Sequence, residues 1–328
     1  MSTQFFSPEI VAASFKSQIS PEVQKAQDLL EKMSPEERVG QLFLVTYKGV
    51  ETGEGSQIAK LINEQHIGGV VLRADNDNFP VSENLPAAIQ TSNNDLQIHN
   101  WKSTITEFQT DSGTIQTGGN YIPLFVGISQ EGDLAPYDQI INGLTPLPSS
   151  MAIAATWKPA NAEQAGKVLG SELEALGINL LFGPSLDVID LVRTDIGDDL
   201  GVRTFGGDPY WVGQFGKAYI QGVHEGSNNK ILVVAKHFPG RGGSDRLPED
   251  EVATVRKSLE QLKQIELDPF FSVTQFNGDS QQLTDGLLLS HIRYQGFQGN
   301  IRATTRPVSF DETALKLIMD LEQFAGWR

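Results

Sequence analysis

Short apolar runs alternate with stretches of helical periodicity about six times along this chain, and no other feature narrows its fold as much. Leu42–Tyr47, Gly68–Leu72, Ile122–Ile128, Ile178–Phe182, Ile231–Ala235 and Gly286–Ser290 read as strands. Unbroken apolar runs of this length are expected where a strand is buried on both faces, as in a parallel sheet. The stretches between them read as helices over Ser56–Gln65, 85–108, 161–176, from Asp208-Pro209 to Gly226, from Leu259, from Asp268-Pro269 and over Asp311–Leu321. Residues 109–120 read as a loop. Earlier, Ser20-Pro21 starts a helix with Val23, Ala26, Leu30 and Met33 on one face, and Ser34 to Glu37 has the form of a capping box. Residues 1–19 have no clear period and read as an arm. Strand–helix alternation implies a parallel sheet, open or closed. No Gly-x-Gly-x-x-Gly follows the first strands, which weighs against a dinucleotide fold and for a (β/α) barrel.

Charge narrows the partners. The 328 residues carry a formal net charge of −16, a field that repels nucleic acid and anionic membrane surfaces but is compatible with a neutral sugar. There is no cysteine, so disulfides, thiol nucleophiles and cysteine metal sites are excluded. No apolar run approaches the roughly 18 residues of a membrane helix, and the first residues show no basic-then-apolar leader pattern. The compartment is left open between cytoplasmic and extracytoplasmic.

The run Ile231–Ala235 ends abruptly in Lys236 and His237, followed by Phe238-Pro239-Gly240-Arg241-Gly242-Gly243. Polar groups thus sit where a buried strand emerges into a loop, the place where parallel α/β folds bind ligands. Other strand ends and loops add Gln130, Glu131, Asp187, Arg203 and His291. Each has a plain alternative. Glu131 can be a solvated loop acid, Asp187 a turn cap, and Arg203 a partner of the surplus acids. His291 can be a hydrogen-bonded core histidine, and Lys236 and His237 a strand-end pair satisfied by neighbours. Their shared position after buried strands favours a common site. Glu131, Asp187, His237 and His291 are also residue types that bind zinc or iron, but none has the close spacing of a metal motif, so no metal and no cofactor is expected.

Lys236-His-Phe-Pro-Gly-x-Gly242 resembles the signature of glycoside hydrolase family 3, nearest its bacterial β-N-acetylglucosaminidase branch. Gln130-Glu131-Gly132 is similar to that family's Asp-Gln-Glu-Gly-Gly, with Ser129 in place of the aspartate that holds sugar hydroxyls. Phe182 to Val188 resembles its Ala-Pro-Val-Leu-Asp-Val segment, Arg203 to Pro209 its Arg-Ser-Tyr/Phe-x-x-Asp-Pro loop, and Leu289 to Ile292 its Pro-Ala-His-Val. The resemblance spans residues 29–328. It implies a (β/α)8 TIM-barrel-like α/β domain over 35–328, incomplete, with about six of eight units, after an arm and helix over 1–34. It also implies retaining hydrolysis of terminal β-linked sugars, β-N-acetylglucosaminides first and β-glucosides second. Glu131, Asp187, Arg203, Lys236, His237 and His291 are the implied substrate-binding residues.

Two departures bear on catalysis. The branch's Asp-Ser-His acid/base loop follows Lys-His-Phe-Pro-Gly-His-Gly, but here Arg241 replaces the first histidine and no histidine occurs between His237 and His291. Asp245, Glu249, Asp250 and Glu251 are the carboxylates available to replace the dyad, with Asp245, Glu249 and Glu251 the candidate acid/base residues. The family's nucleophilic aspartate follows the helix read over 311–321, and this sequence ends at Arg328, before it. The expectation is a carbohydrate-binding chain that does not hydrolyse by itself. The alternative is a non-catalytic sugar-binding relative.

Overall fold

The computed structural model describes residues 20–110, 113–118, 121–132, 137–190, 200–248, 250–276, 278–324 and 327. Six strands form the main sheet: β1 Leu44–Val45, β2 Gly69–Val71, β3 Phe125–Ile128, β4 Leu180–Ser185, β5 Leu232–Phe238 and β6 Gly286–Leu289. Their spatial order is their chain order, and every neighbouring pair is parallel. A doubly wound sheet reverses its order at a switch point, whereas a barrel does not. The fold is therefore α/β and TIM-barrel-like, a curled half-barrel of parallel strands with helices on its outer face.

Period-2 alternation sorts each strand onto two layers. Val70, Val126, Ile128, Leu181, Val233 and Ala235 are fully buried on the layer that belongs to the main core. Burying one such valine or leucine contributes roughly 1.5–3 kcal/mol, so this layer holds the sheet to its helices. The opposite layer differs from the expectation of burial on both faces. Phe125, Leu232 and Leu288 keep 37%, 37% and 36% of their surface exposed. Six strands curl without closing, so apolar side chains on the concave face are covered only in part.

Two helices position the mouth of the half-barrel. Helix α1, Pro159–Ala175, follows β3, and helix α2, Pro209–Gly226, follows β4. Asp208 caps α2 by accepting from Trp211 N at 3.1 Å, and Pro209 occupies its first turn. Gly177, at φ +76°, follows α1 as the expected stop. Small residues bring the two helices into backbone contact. A Cβ on Gly222 would lie 2.0 Å from Glu163 O, and one on Gly170 2.4 Å from Val223 O. The helices run side by side in the same direction, with both N-termini at the carboxyl end of the sheet.

Three segments depart from expectation. The helix Leu85–Ser103 stops short of 108, and Ile105–Thr110 pairs antiparallel with Gly113–Gly118 where a loop was expected. Thr and Ile recur through both strands, and β-branched residues favour extended backbone. The helix Pro21–Lys32 forms on its Ser20 cap but buries no residue, so its apolar face, with Val23 and Leu30 about half exposed, has no cover among the described residues. The strand read as Ile231–Ala235 continues through Lys236 and His237 to Phe238. Ser34 and Glu37 form the expected capping box. The arm over residues 1–19 lies outside the described residues.

Candidate active site

The ladder register shifts on both sides of the end of β5, between Phe182 and Ser185 on β4 and between Ala235 and Phe238 on β5. Such an irregularity lets consecutive side chains reach one side of a sheet. Lys236 and His237 both line a cavity of about 490 Å³ on the concave face. Arg73, Ser129, Tyr137, Phe182, Arg203, Arg241 and Leu288 share its walls. The Arg203 guanidinium lies 4.0 Å from the centre of the Tyr137 ring.

Behind Lys236 and His237 stand two buried carboxylates. Glu131 forms an ion pair with Lys236, whose Nζ also donates to Ser129 Oγ at 2.7 Å. The other Glu131 oxygen accepts from Ser185 N at 2.9 Å, and the Glu131 backbone donates to Asp138 at 2.8 Å. Asp187 is fully buried and takes three donors: Ser185 Oγ at 2.8 Å, Arg241 N at 2.7 Å and His237 Nδ1 at 2.7 Å. Gly242 makes this approach possible, because a Cβ there would lie 1.8 Å from Val188 O. Burial by itself would raise the Asp187 carboxyl, but His237 and Arg241 outweigh it and hold the group below the ordinary carboxylate range. Burial pushes His237 below the usual histidine value; Asp187 pulls the other way, and the charges of Arg241 and Lys236 reinforce burial. The pair therefore rests as a carboxylate and a neutral imidazole, with Nδ1–H donating to Asp187. Both carboxylates support the wall rather than line it.

Four of the six expected substrate-binding residues thus converge in two linked pairs, and Arg203 joins them at the cavity. His291 lies apart. It is exposed, bonds Ser309 Oγ through Nδ1 at 2.6 Å and stacks on Phe310. It lines an adjoining cavity of about 270 Å³ that shares His237, Arg241 and Leu288 with the first. Among the described residues no group of three or more His, Asp or Glu is arranged to hold a metal.

The loop after β5 is tied down from beneath. Asp245 accepts from Thr254 N at 2.8 Å and pairs with Arg246 and Arg256 at 3.3 and 3.4 Å. Glu251 is exposed and bonds Arg246 at 2.5 Å. Glu249 lies outside the described residues, as do Asp195, Asp198 and Asp199 of the long loop after β4. Glu266, with no exposed surface, takes Lys257 Nζ at 2.8 and 3.0 Å and Gly243 N at 3.2 Å. Burial pushes its carboxyl up to about 7, against the pull of Lys257. Lys257 also bonds Asp190 at 2.9 Å, so one partly buried cation links the loop base to the segment leaving β4.

Sequence reasoning missed Tyr137, Arg73 and the load on Arg241. Arg73 ends β2's run as Lys236 ends β5's, a signal that was present in the sequence. Arg241 was noted only as a replacement, yet it is buried and its backbone holds Asp187. Nothing in the sequence places Tyr137 under Arg203.

Comparison with known proteins bears on this geometry. The model of the glycosyl hydrolase family 3 N-terminal domain matches residues 34–326. The β-hexosaminidase LpqI of Mycobacterium bovis is 27% identical over 290 residues, covering 87% of this chain and 61% of that protein. A β-N-acetylglucosaminidase/β-glucosidase of Cellulomonas fimi is 30% identical over 218 residues, covering 66% of this chain and 31% of that protein. The solved family 3 β-N-acetylglucosaminidase from Paenibacillus superposes with a TM-score of 0.68 at 26% identity, over 84% of this chain and 44% of that one. The chain thus spans less than two thirds of the length of these relatives. Among the described residues no helix is long and apolar enough to cross a membrane. The strand order, the Lys236–Glu131 and His237–Asp187 pairs and the family match converge, and this chain belongs to glycoside hydrolase family 3 through that family's N-terminal domain.

Proposed function

We propose that this domain holds the terminal sugar of a β-linked N-acetylglucosaminide, as part of a retaining glycosidase. Lys236, His237 and Arg203 hold the hydroxyls, while Phe182 and Leu288 supply the apolar wall. The observation that carries this reading is the pairing of Lys236 with Glu131 and of His237 with Asp187 at one cavity of a family 3 domain. The buried carboxylates fix both cavity-facing side chains before any ligand arrives, so little ordering entropy is lost on binding. The LpqI and Paenibacillus relatives, a β-hexosaminidase and a β-N-acetylglucosaminidase, support the choice of sugar.

Retaining hydrolysis needs two carboxyl groups about 5–5.5 Å apart across the glycosidic bond. No described carboxylate lines the cavity, and Glu131 and Asp187 are occupied by their partners. On this reading the chain binds the sugar without turnover. The acid comes from the loop after β5, and Glu249 or Glu251 suits that role better than Asp245, which would have to leave Thr254 N and two arginines. A second reading, a non-catalytic sugar-binding relative, is favoured by Ser129 in place of the family's aspartate.

Calorimetry with N-acetylglucosamine and glucose, beside release of nitrophenol from the aryl β-N-acetylglucosaminide, tests both statements. The expected result is N-acetylglucosamine binding, at least tenfold weaker in Lys236→Ala and in Arg203→Ala, the loss of one charged hydrogen-bonding group. Thermal melts of both variants separate binding loss from unfolding. No binding of either sugar overturns the reading, and nitrophenol release by this chain overturns the claim that it binds without turnover.

A further inference from the structure

Trp157, Tyr210 and Trp211 form an aromatic cluster that the cavity does not use. Trp157 lies just before helix α1, and Tyr210 and Trp211 lie in the first turn of α2. The glycine contacts between these helices bring the two N-termini together, and Trp157 meets Trp211 edge-on at 5.3 Å between ring centres. Tyr210 meets Trp211 edge-on at 5.5 Å, and Trp211 packs inward on Phe215 at 6.1 Å. Trp211 is thus the rooted ring, and Trp157 and Tyr210 are left 65% and 59% exposed.

Folding does not account for this arrangement. An exposed indole gains little burial energy, and contiguous exposed apolar surface marks interaction sites. Trp157 is also in the left-handed region, at φ +56°, where a bulky residue is strained and glycine is not. Strain and exposure at one residue point to a use outside the fold. Exposed polar groups frame the rings: Thr156, Lys158 and Asp208. Apolar faces with a polar rim suit a pyranose, whose C–H face stacks on an aromatic ring while its hydroxyls meet polar groups and water.

Position selects the occupant. Both helix N-termini open at the carboxyl end of the sheet, the end that carries the cavity. The turn Gly201–Arg203 packs beside the short helix Ser150–Ala154 that leads to Trp157. Val202 in that turn is 51% exposed, and the next residue, Arg203, lines the cavity. The turn that brings Arg203 to the cavity therefore packs against the segment that leads to Trp157.

We propose that Trp157 and Tyr210 form an accessory subsite for a β-linked oligosaccharide, engaging units of a chain beyond the one sugar held in the cavity. The choice of N-acetylglucosamine units rests on the proposed function, while the contact itself stands on these rings. The test uses the full chain, with chitohexaose and N-acetylglucosamine as probes followed by calorimetry and tryptophan fluorescence. Trp157→Gly suits the left-handed backbone, and Tyr210→Ser changes an exposed side chain, so both variants fold. The double variant is expected to bind chitohexaose about tenfold more weakly, the loss of one to two stacking contacts, with N-acetylglucosamine affinity unchanged. Equal chitohexaose affinity in wild type and double variant overturns the proposal, as does absence of chitohexaose binding by the wild type. Sedimentation velocity covers a second copy of this chain as occupant: self-association lost in the double variant, with chitohexaose affinity intact, also overturns it. Chitohexaose binding that needs Trp157 while N-acetylglucosamine fails to bind sustains this subsite and overturns the cavity reading instead.

Discussion

Two histidine–aspartate pairs sit at opposite ends of the same sheet, and the same two residue types behave differently at each. At the carboxyl end, His237 Nδ1 bonds Asp187 at 2.7 Å. At the amino end, His224 Nε2 bonds Asp285 at 2.9 Å while its Nδ1 bonds the Gln281 carbonyl at 2.8 Å. His224 comes from the end of α2, and Asp285 immediately precedes β6 and accepts from Val233 N at 2.8 Å. The lower pair is surrounded by acceptors. Burial would lower His224, but Asp285 and the Gln281 carbonyl outweigh it, so its pKa is raised. The upper pair is buried, and burial first, with the charges of Arg241 and Lys236 beside it, pushes its histidine down against the pull of Asp187. Burial and the groups around each ring, weighed against the aspartate, set which form rests. A charged imidazole locked between two acceptors fastens a helix to a strand; a neutral one held at a single nitrogen leaves its ring for a ligand. The division agrees with barrel logic, in which one end of the sheet binds and the other stabilises.

Substitution of one residue in each pair breaks this comparison most sharply. Asp187→Ala removes the acceptor of three buried donors and is expected to cost about 3–5 kcal/mol in urea unfolding. N-acetylglucosamine binding is lost with it, because His237 and the Arg241 loop lose their anchor. His224→Ala is expected to cost less, about 1.5–3 kcal/mol, the range for hydrogen bonds to a charged group. Its sugar affinity stays at the wild-type value, since the change lies at the far end of β5. A His224 variant that binds sugar tenfold more weakly would remove the proposed division of labour.

The two ends were not equally legible in the sequence. Lys236 and His237 announced themselves because polar residues interrupt an apolar run, and Asp187 because it leaves another. Their partners were not legible: pairing depends on register, and the bulges beside Phe182 and Ala235 carry no letter code. The lower pair passed unnoticed. His224 falls within the helix read from Asp208-Pro209 to Gly226, where nothing sets it apart, and Asp285 looks like any turn residue before a strand. The strands themselves were well marked, since six short apolar runs alternate with stretches of helical period, although the first, read over Leu42–Tyr47, forms a strand only at Leu44–Val45. The hairpin over Ile105–Gly118 was read as helix up to 108 and as loop from 109, because Gly and Ser beside its β-branched Thr and Ile residues suggested a loop. Trp157 and Trp211 stand 54 positions apart and meet only because glycines let two helices touch.

The smallest expected effect separates the two pairs by sign. A raised histidine binds its proton more tightly in the folded state, so the contribution of His224 is full below its unfolded value of about 6.5 and is lost as pH rises through the folded value. A lowered histidine does the reverse: the contribution of His237 is full above about 6.5 and is lost as pH falls toward its folded value. Glu266, pushed up to about 7, adds a background loss of stability as pH rises from about 4.5 to 7, but it is common to both variants and cancels in the comparison. Urea unfolding of wild type, His224→Gln and His237→Gln between about pH 5 and 9 reads these terms directly. The deficit of His224→Gln should shrink with rising pH and that of His237→Gln with falling pH. Parallel slopes would mean that both imidazoles carry the same charge, and the neighbouring Lys236 and Arg241 would then no longer explain why one pair binds and the other fastens.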